Sequence, residues 1–222
     1  MRAYAPTMTE IVIATSNPHK VEELGAILAA EGLTKFRLLT LKDVAPNGLP
    51  EPAETGSTFI ENATIKATTY ARLTGRLCLA DDSGIEIDAL HGRPGVISSH
   101  YATDGRETGV TRQDRDNANN ARVLRELESV PLERRAARFR CVMVLSEPVR
   151  GVLHIADGAC EGRIGVPPDV PRGVGGFGYD PLFLVAPDFR HTTSELGAEA
   201  KNAISHRGIA ARKLAAFLRT LS

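Results

Sequence analysis

The sequence lacks several features that mark common protein classes. Its 222 residues include no tryptophan and three cysteines, and Cys78, Cys141 and Cys160 form no Cys-x-x-Cys pair. An odd set of separated cysteines argues against a disulfide framework and is typical of buried thiols in a reducing compartment. The six histidines show no His-x-x-x-His spacing, which argues against a zinc site.

The chain also has no excess of charge and no long apolar run. Lys plus Arg and Asp plus Glu each number 27, so no global positive field is present to hold nucleic acid. Residues 1–9 lack the apolar core of a signal peptide, and no run is long enough for a transmembrane helix. We therefore expect a cytoplasmic protein with an N-terminal extension over residues 1–9 and no nucleic-acid or membrane partner.

The first apolar run, residues 11–14, predicts a buried strand that breaks into a polar segment and then a helix. Ser16 or Asn17 is a natural N-cap, and Pro18 suits the first helical position. Free backbone amides at such a helix start can bind phosphate, and Lys20 would add a positive charge. A plain capped helix with a surface lysine explains the same residues.

A second helix is predicted after a Pro/Gly-rich connection, because Thr58 and Glu61 form a capping box. Asn62 and Lys66 are four positions apart and therefore share another face of this helix. Glu54 stands in the turn before it. Its carboxylate either favours the positive end of the helix or faces outward as a metal ligand, and the spacing does not choose between the two.

The most informative stretch is residues 77–90, where an apolar run leads into Asp81-Asp82-Ser83-Gly84. We predict two short strands with a turn at their junction. The turn would place two carboxylates side by side, and at about 5 Å and an effective dielectric near 20 they repel by roughly 3 kcal/mol. A divalent cation would relieve this repulsion. The alternative is a solvated acidic turn with glycine at positive φ.

Further along, Thr111 with Asp114 predicts the start of a polar, partly exposed helix. Alternation over residues 137–145 predicts a half-buried strand. Residues 152–155 and 159–164 predict further strands, with turns at Asp157-Gly158 and Glu161-Gly162. The middle of the chain thus reads as one helix followed by three strands.

Glycine-rich residues 173–181 surround Phe177. Such glycines let backbone approach a ligand closely and leave the ring to stack on a flat group. An ordinary loop whose phenylalanine turns into the core is the alternative. In the last segment Ser205 is a plausible N-cap, which would place His206 and Arg207 at the start of a helix.

Five segments in this order resemble the motifs of the HAM1/inosine triphosphate pyrophosphatase family, and the resemblance covers nearly the whole chain. They are Thr15-Ser16-Asn17-Pro18-His19-Lys20, Glu61-Asn62-Ala63-Thr64-Ile65-Lys66-Ala67, Ala80-Asp81-Asp82-Ser83-Gly84, Gly176-Phe177-Gly178-Tyr179-Asp180-Pro181 and Ser205-His206-Arg207-Gly208. The resemblance implies an α/β fold: an elongated mixed β-sheet flanked by helices, in two lobes with a central cleft. It also implies a single domain over residues 10–222, Mg²⁺ as cofactor and a homodimer.

The resemblance further implies roles for individual residues. Asp82 would act at the metal and as proton acceptor, Asp81 and Glu54 would complete the carboxylate cluster, and Lys66 would join the triphosphate site. The implied catalytic residues are Asp82, Asp81 and Lys66, and the implied metal ligands are Asp82, Glu54 and Asp81. The implied substrate-binding residues are Thr15, Ser16, Asn17, Pro18, His19, Lys20, Ser83, Phe177, Gly178, Tyr179, Asp180, Lys201, His206 and Arg207.

By this resemblance the chain would hydrolyse non-canonical purine nucleoside triphosphates to monophosphate and pyrophosphate. A nucleotide pyrophosphatase of different base preference, or a non-catalytic nucleotide-binding module, remain as alternatives. One departure concerns the loop that follows residues 92–95, where the family commonly has Ser-Ala-Arg and this chain has Ser98-Ser99-His100. If the family arginine meets phosphate, His100 does so only when it is protonated.

Overall fold

The computed structural model describes residues 9–15, 18–33 and 35–221, with backbone alone for residues 18–20. Part of the predicted phosphate-binding turn therefore lies outside the described residues: Ser16 and Asn17 entirely, and the side chains of Pro18, His19 and Lys20. Within the described part of the chain, no helix combines the length and the apolar character that crossing a membrane requires.

Six strands and six α-helices occupy the described part of the chain. The strands are β1 (Thr9–Ile13), β2 (Phe36–Thr40), β3 (Leu77–Ile87), β4 (Ala136–Glu147), β5 (Gly151–Ile164) and β6 (Phe183–Val185). The α-helices are α1 (Pro18–Ala30), α2 (Leu41–Val44), α3 (Phe59–Thr74), α4 (Arg112–Glu126), α5 (Ala198–Ile204) and α6 (His206–Leu218).

The strands form one sheet in the order β2-β1-β3-β4-β5-β6. β1 runs parallel to both β2 and β3, whereas β6 runs antiparallel to β5. The predicted α/β fold with a mixed sheet is confirmed.

The predicted turn in the acidic stretch is wrong, because Asp81 and Asp82 lie inside the continuous strand β3. Gly84 suggested a turn, but a side-chain carbon at this position would overlap Ser98 Oγ and would lie 2.6 Å from the carbonyl oxygen of Gly95. The glycine therefore serves a close approach between two backbone segments.

The turns predicted at Asp157-Gly158 and Glu161-Gly162 are also wrong, because β5 runs through all four residues. β5 lies between β4 and β6 in the sheet. Pairing with neighbouring strands outweighs the local turn preference of an Asp-Gly pair, since strand propensity depends strongly on context.

The predicted helix starts are confirmed. Thr58 forms the capping box of α3, and the Thr111 side chain accepts a hydrogen bond from the Asp114 amide at the start of α4. Ser205 Oγ accepts from the Gly208 amide at 2.9 Å where α6 begins. These side chains satisfy amides that have no partner inside their helix.

The chain divides into two compact units. The first comprises the residues up to Asp82, Val142–Asp157 and those from Ala210 onward; the second comprises Ser83–Cys141 and Gly158–Ile209. Buried side chains of the first unit include Ile11, Val12, Leu24 and Leu28. Those of the second unit include Ile85, Ile87, Tyr101, Leu182 and Phe183.

Candidate active site

In the first unit, a lysine is held between two carboxylates. Lys66 Nζ lies 3.0 Å from Glu54 Oε2 and 3.2 Å from Asp82 Oδ1. The side chains of Lys66 and Asp82 are 14% and 11% exposed, so solvent screens this pair only weakly. We call Glu54, Lys66, Asp81 and Asp82 the carboxylate–lysine group.

The charge of Lys66 is stabilised by all three acids of the group. Burial by itself would lower the pKa of the Lys66 ammonium, but the charges of Asp82, Asp81 and Glu54 together raise that pKa above its ordinary value. Lys66 is therefore a fixed positive charge at neutral pH.

Asp82 is the member of the acidic pair that forms the ion pair with Lys66. Both carboxylates belong to strand β3 and not to the predicted turn. Both residues are buried. The charge of Asp81 nevertheless acts on Lys66.

Asn62 also belongs to this site, although it was not among the predicted site residues. Its Nδ2 lies 3.4 Å from Asp82 Oδ2, and its Oδ1 accepts from the Gly56 amide at 2.8 Å. Asn62 thus joins the loop before α3 to the strand that carries Asp82. The signal in the sequence was its spacing of four from Lys66, which places both on one helix face.

Thr15 follows strand β1, which is paired with β3, the strand that carries Asp81 and Asp82. Ile13 of β1 pairs with Leu79 of β3 in a parallel register, and Thr15 and Asp81 each follow two residues later. β1 ends at Ile13 and β3 continues to Ile87, so Thr15 follows the carboxyl end of β1, a position at which α/β sheets commonly bind ligands. The backbone of α1 begins at Pro18, so the predicted strand and the predicted helix are confirmed.

In the second unit, the glycine-rich segment presents the ring of Phe177, which is 39% exposed. The Arg112 guanidinium carbon lies 4.7 Å and Lys201 Nζ 4.9 Å from its centroid, within the range of cation–π attraction. The alternative in which this ring turns into the core is wrong.

Asp180 organises this segment. Its buried carboxylate accepts hydrogen bonds from the Phe177 amide at 2.8 Å, from Thr193 Oγ1 at 2.8 Å and from Lys201 Nζ at 2.7 Å. These bonds fix Lys201 and the backbone of Phe177 around one acid. Thr193 had no signal in the sequence, because it belongs to a different loop.

Tyr179 packs inside the second unit. Its side chain is part of the buried core, and its hydroxyl donates to the Ser98 carbonyl at 2.7 Å. Burial raises the pKa of this hydroxyl. The structure therefore gives the Tyr179 side chain a packing role inside the second unit.

His206 and Arg207, the two residues predicted at the start of α6, contact different side chains. The His206 ring stacks on Phe139 with centroids 5.1 Å apart. Arg207 is buried, and its Nη2 donates to Ser83 Oγ at 3.2 Å. The second unit thus brings Ser83 to Arg207, and Lys201 to Asp180.

His100 is the residue at which the sequence departs from the motif that the resemblance implies. Its Nδ1 lies 2.9 Å from Ser99 Oγ, and its Nε2 lies 3.3 Å from Arg115 Nη1 and 3.5 Å from Glu107 Oε2. The histidine is therefore flanked by one cation and one acid. Its pH-dependent contact with phosphate stays a prediction.

Among the described residues, no three His, Cys, Asp or Glu side chains form a ready-made metal cage. The carboxylate–lysine group does supply oxygen atoms, which are the ligands that Mg²⁺ prefers. Mg²⁺ usually binds one or two carboxylates and completes its shell with water and substrate phosphates. The donor set therefore fits a metal that arrives with a nucleotide.

The fold is that of solved HAM1 proteins. The chain is 40% identical to a HAM1 protein from Coxiella burnetii, with a TM-score of 0.81 over 96% of this chain and 100% of that chain. It is 38% identical to a nucleoside-triphosphatase/dITP/XTP pyrophosphatase from Mycobacterium abscessus, with a TM-score of 0.72 and the same coverage.

Residues 11–217 match the model of the Ham1 family. A dITP/XTP pyrophosphatase from Frankia alni is 49% identical over 94% of this chain and 96% of its own. One from Desulforamulus reducens is 44% identical over 96% of both chains. The chain belongs to the Ham1 family.

Proposed function

We propose that this Ham1 family member hydrolyses the non-canonical purine nucleotides ITP, dITP and XTP to monophosphate and pyrophosphate, which removes them from the nucleotide pool. Relatives that are 44% and 49% identical over nearly their whole length are named dITP/XTP pyrophosphatases. The structural observation that carries the proposal is the ion pair of Lys66 with Asp82. It joins a cation for phosphate and an acceptor for a proton in one buried group.

Mg²⁺ is the cofactor that we propose for this reaction, and its protein ligands would be drawn from Asp82, Asp81 and Glu54. Their carboxylates supply hard oxygen donors. When bound, the metal would offset charge on the phosphates and activate water.

The chain's own residues then carry the proton and charge steps. Asp82 accepts a proton from the water that attacks the α-phosphorus. An oxygen–phosphorus bond forms, the bond from the α-phosphorus to the bridging oxygen breaks, and pyrophosphate leaves with that oxygen. Lys66 balances negative charge on the phosphate oxygens. Thr15, Asn17 and Lys20 hold the triphosphate, and backbone amides at the start of α1 provide further donors.

We propose that residues of the second unit recognise the purine base. The exposed Phe177 ring stacks on the purine, and Lys201, His206 and Arg207 supply hydrogen-bond donors. Hypoxanthine and xanthine offer a carbonyl oxygen at the six-position, whereas the amino group of adenine would leave buried donors unpaired. Sites of this kind discriminate by roughly 10⁴ or more. Ser83 contacts substrate, and Asp180 keeps Lys201 in place.

We further propose one catalytic domain over residues 10–222 that works as a cytoplasmic homodimer. The family model covers residues 11–217, which supports a single domain. Exposed apolar side chains at Val149, Val152 and Ile155 offer surface that a second copy can bury. Light scattering on the purified protein tests the dimer, and a monomeric mass would contradict it.

A substrate panel tests the proposed activity. ITP, dITP, XTP, GTP, ATP and dTTP are incubated with the protein and Mg²⁺, and pyrophosphate and orthophosphate are measured separately. We expect pyrophosphate from ITP, dITP and XTP. Orthophosphate as the first product would contradict attack at the α-phosphorus. A preference for dTTP would indicate another base specificity, and binding without turnover would indicate a nucleotide-binding module.

A further inference from the structure

One face of α4 contacts the glycine-rich segment through three side chains. Arg112, Asp116 and Asn120 follow one another at intervals of four and therefore share a helix face. Asp116 Oδ2 accepts from the Gly178 amide at 2.8 Å, and Asn120 Nδ2 donates to the Gly178 carbonyl at 3.0 Å. The Arg112 guanidinium lies over the ring of Phe177.

These contacts restrain Gly178, whose backbone is conformationally free because glycine has no side chain. Gly178 adopts φ +61°, and a Cβ built there would meet nothing within 4 Å, so local packing does not fix its backbone. Both its N–H and its C=O are instead bonded to side chains of α4. The helix therefore sets the direction of the chain immediately after Phe177.

Asp116 contacts both the backbone of the glycine-rich segment and the Arg112 side chain. Its Oδ2 lies 3.9 Å from Arg112 Nε, so the same carboxylate faces the cation above the ring and accepts from the Gly178 amide. Its side chain is 15% exposed, which limits competition from water for these bonds.

We propose that Arg112, Asp116 and Asn120 form a positioning element that holds Phe177 for stacking and thereby sets the affinity for the purine base. The inference rests on the proposed function. It also gives the polar N-terminal half of α4 a role beyond solvation, because three of its charged or amide side chains contact the base-binding segment.

Variants of Asp116 and Asn120 test this proposal on the full-length protein with dITP and Mg²⁺. D116A removes the acceptor for the Gly178 amide, so we expect KM to rise about tenfold, equivalent to about 1.4 kcal/mol, while kcat changes less than twofold. D116N keeps an acceptor oxygen and should recover most of the affinity. The matched control is N117A, since Asn117 is exposed on the same helix and accepts from Gln113.

The outcomes separate this proposal from the proposed function. Wild-type protein that hydrolyses no triphosphate would overturn the proposed function. Wild-type turnover together with a KM for D116A equal to that of N117A would overturn the positioning role. N120A, which removes the other bond to Gly178, provides a second test if D116A does not fold in a thermal melt. A raised KM for N120A supports the proposal, and an unchanged KM contradicts it.

Discussion

The two groups of candidate residues are built in different ways. The carboxylate–lysine group stands on regular elements, with Asp82 in β3 and Lys66 on α3, and it is joined by contacts between side chains. Phe177 lies in a loop, and its position depends on two carboxylates that accept hydrogen bonds from the backbone. Asp180 accepts from the Phe177 amide, and Asp116 accepts from the Gly178 amide.

This difference matches the demands of the two tasks. Charges that act on a reacting phosphate need fixed positions, which helices and strands provide better than loops. A stacking ring tolerates small displacements, because stacking is adaptable. The comparison predicts that substitutions in the first group abolish catalysis or folding, whereas those in the second mainly change affinity.

The largest effect is expected for D82N. The amide cannot accept a proton from water, so turnover of dITP should fall about 10³-fold, within the range of general-base catalysis. Pyrophosphate release measures this loss, and a thermal melt shows whether the variant is folded. D88N is the matched control, since Asp88 is an exposed acid that pairs with Arg138. Turnover of D82N equal to that of D88N would remove Asp82 from the mechanism.

The next largest effect is expected for K66M on stability. Removing the ammonium leaves Asp82 buried without that partner, so the free energy of unfolding should fall by about 3 kcal/mol in urea denaturation. K213M is the control, because Lys213 pairs with Asp157 at a similar 3.1 Å but both side chains are more than half exposed. We expect at most about 0.5 kcal/mol for that variant. Equal losses would refute the claim that burial makes the Lys66 pair special.

The same pair predicts a pH dependence. Since the pKa of Lys66 is raised on folding, its contribution to stability is complete below the ordinary lysine pKa of about 10.4 and is lost as the pH rises through the higher folded value. The stability difference between wild type and K66M should therefore stay constant from about pH 7 to 10 and decrease above that range.

A smaller effect than those of D82N and K66M is expected for F177A. Loss of stacking on one base costs about 2 kcal/mol, so KM for dITP should rise roughly 30-fold with little change in kcat. F189A is the control, because Phe189 also lies under a guanidinium, that of Arg163 at 4.2 Å, in another loop. A drop in kcat as large as that of D82N would contradict the division between the two groups.

Local signals in the sequence predicted the fold well where they act over one helical turn. The capping residues Thr58, Thr111 and Ser205 each mark a helix start that the structure confirms. The signals were misleading at Gly84 and Gly158, because turn-forming residues there are held in long strands by pairing and close packing.

The residue types of the candidate site could be predicted from the sequence, but the contacts that hold those residues in place could not. The resemblance named Lys66 and Asp82, and the structure places them in contact. The contacts from Asp116 and Asn120 to Gly178 join positions 62 and 58 residues apart. No local pattern encodes such pairings, since they depend on how distant segments pack.

The bonds between α4 and Gly178 have a practical consequence for engineering. Because Arg112, Asp116 and Asn120 are not members of the carboxylate–lysine group, a library confined to these positions and Phe177 would tune how tightly the base is held while the hydrolytic residues stay untouched.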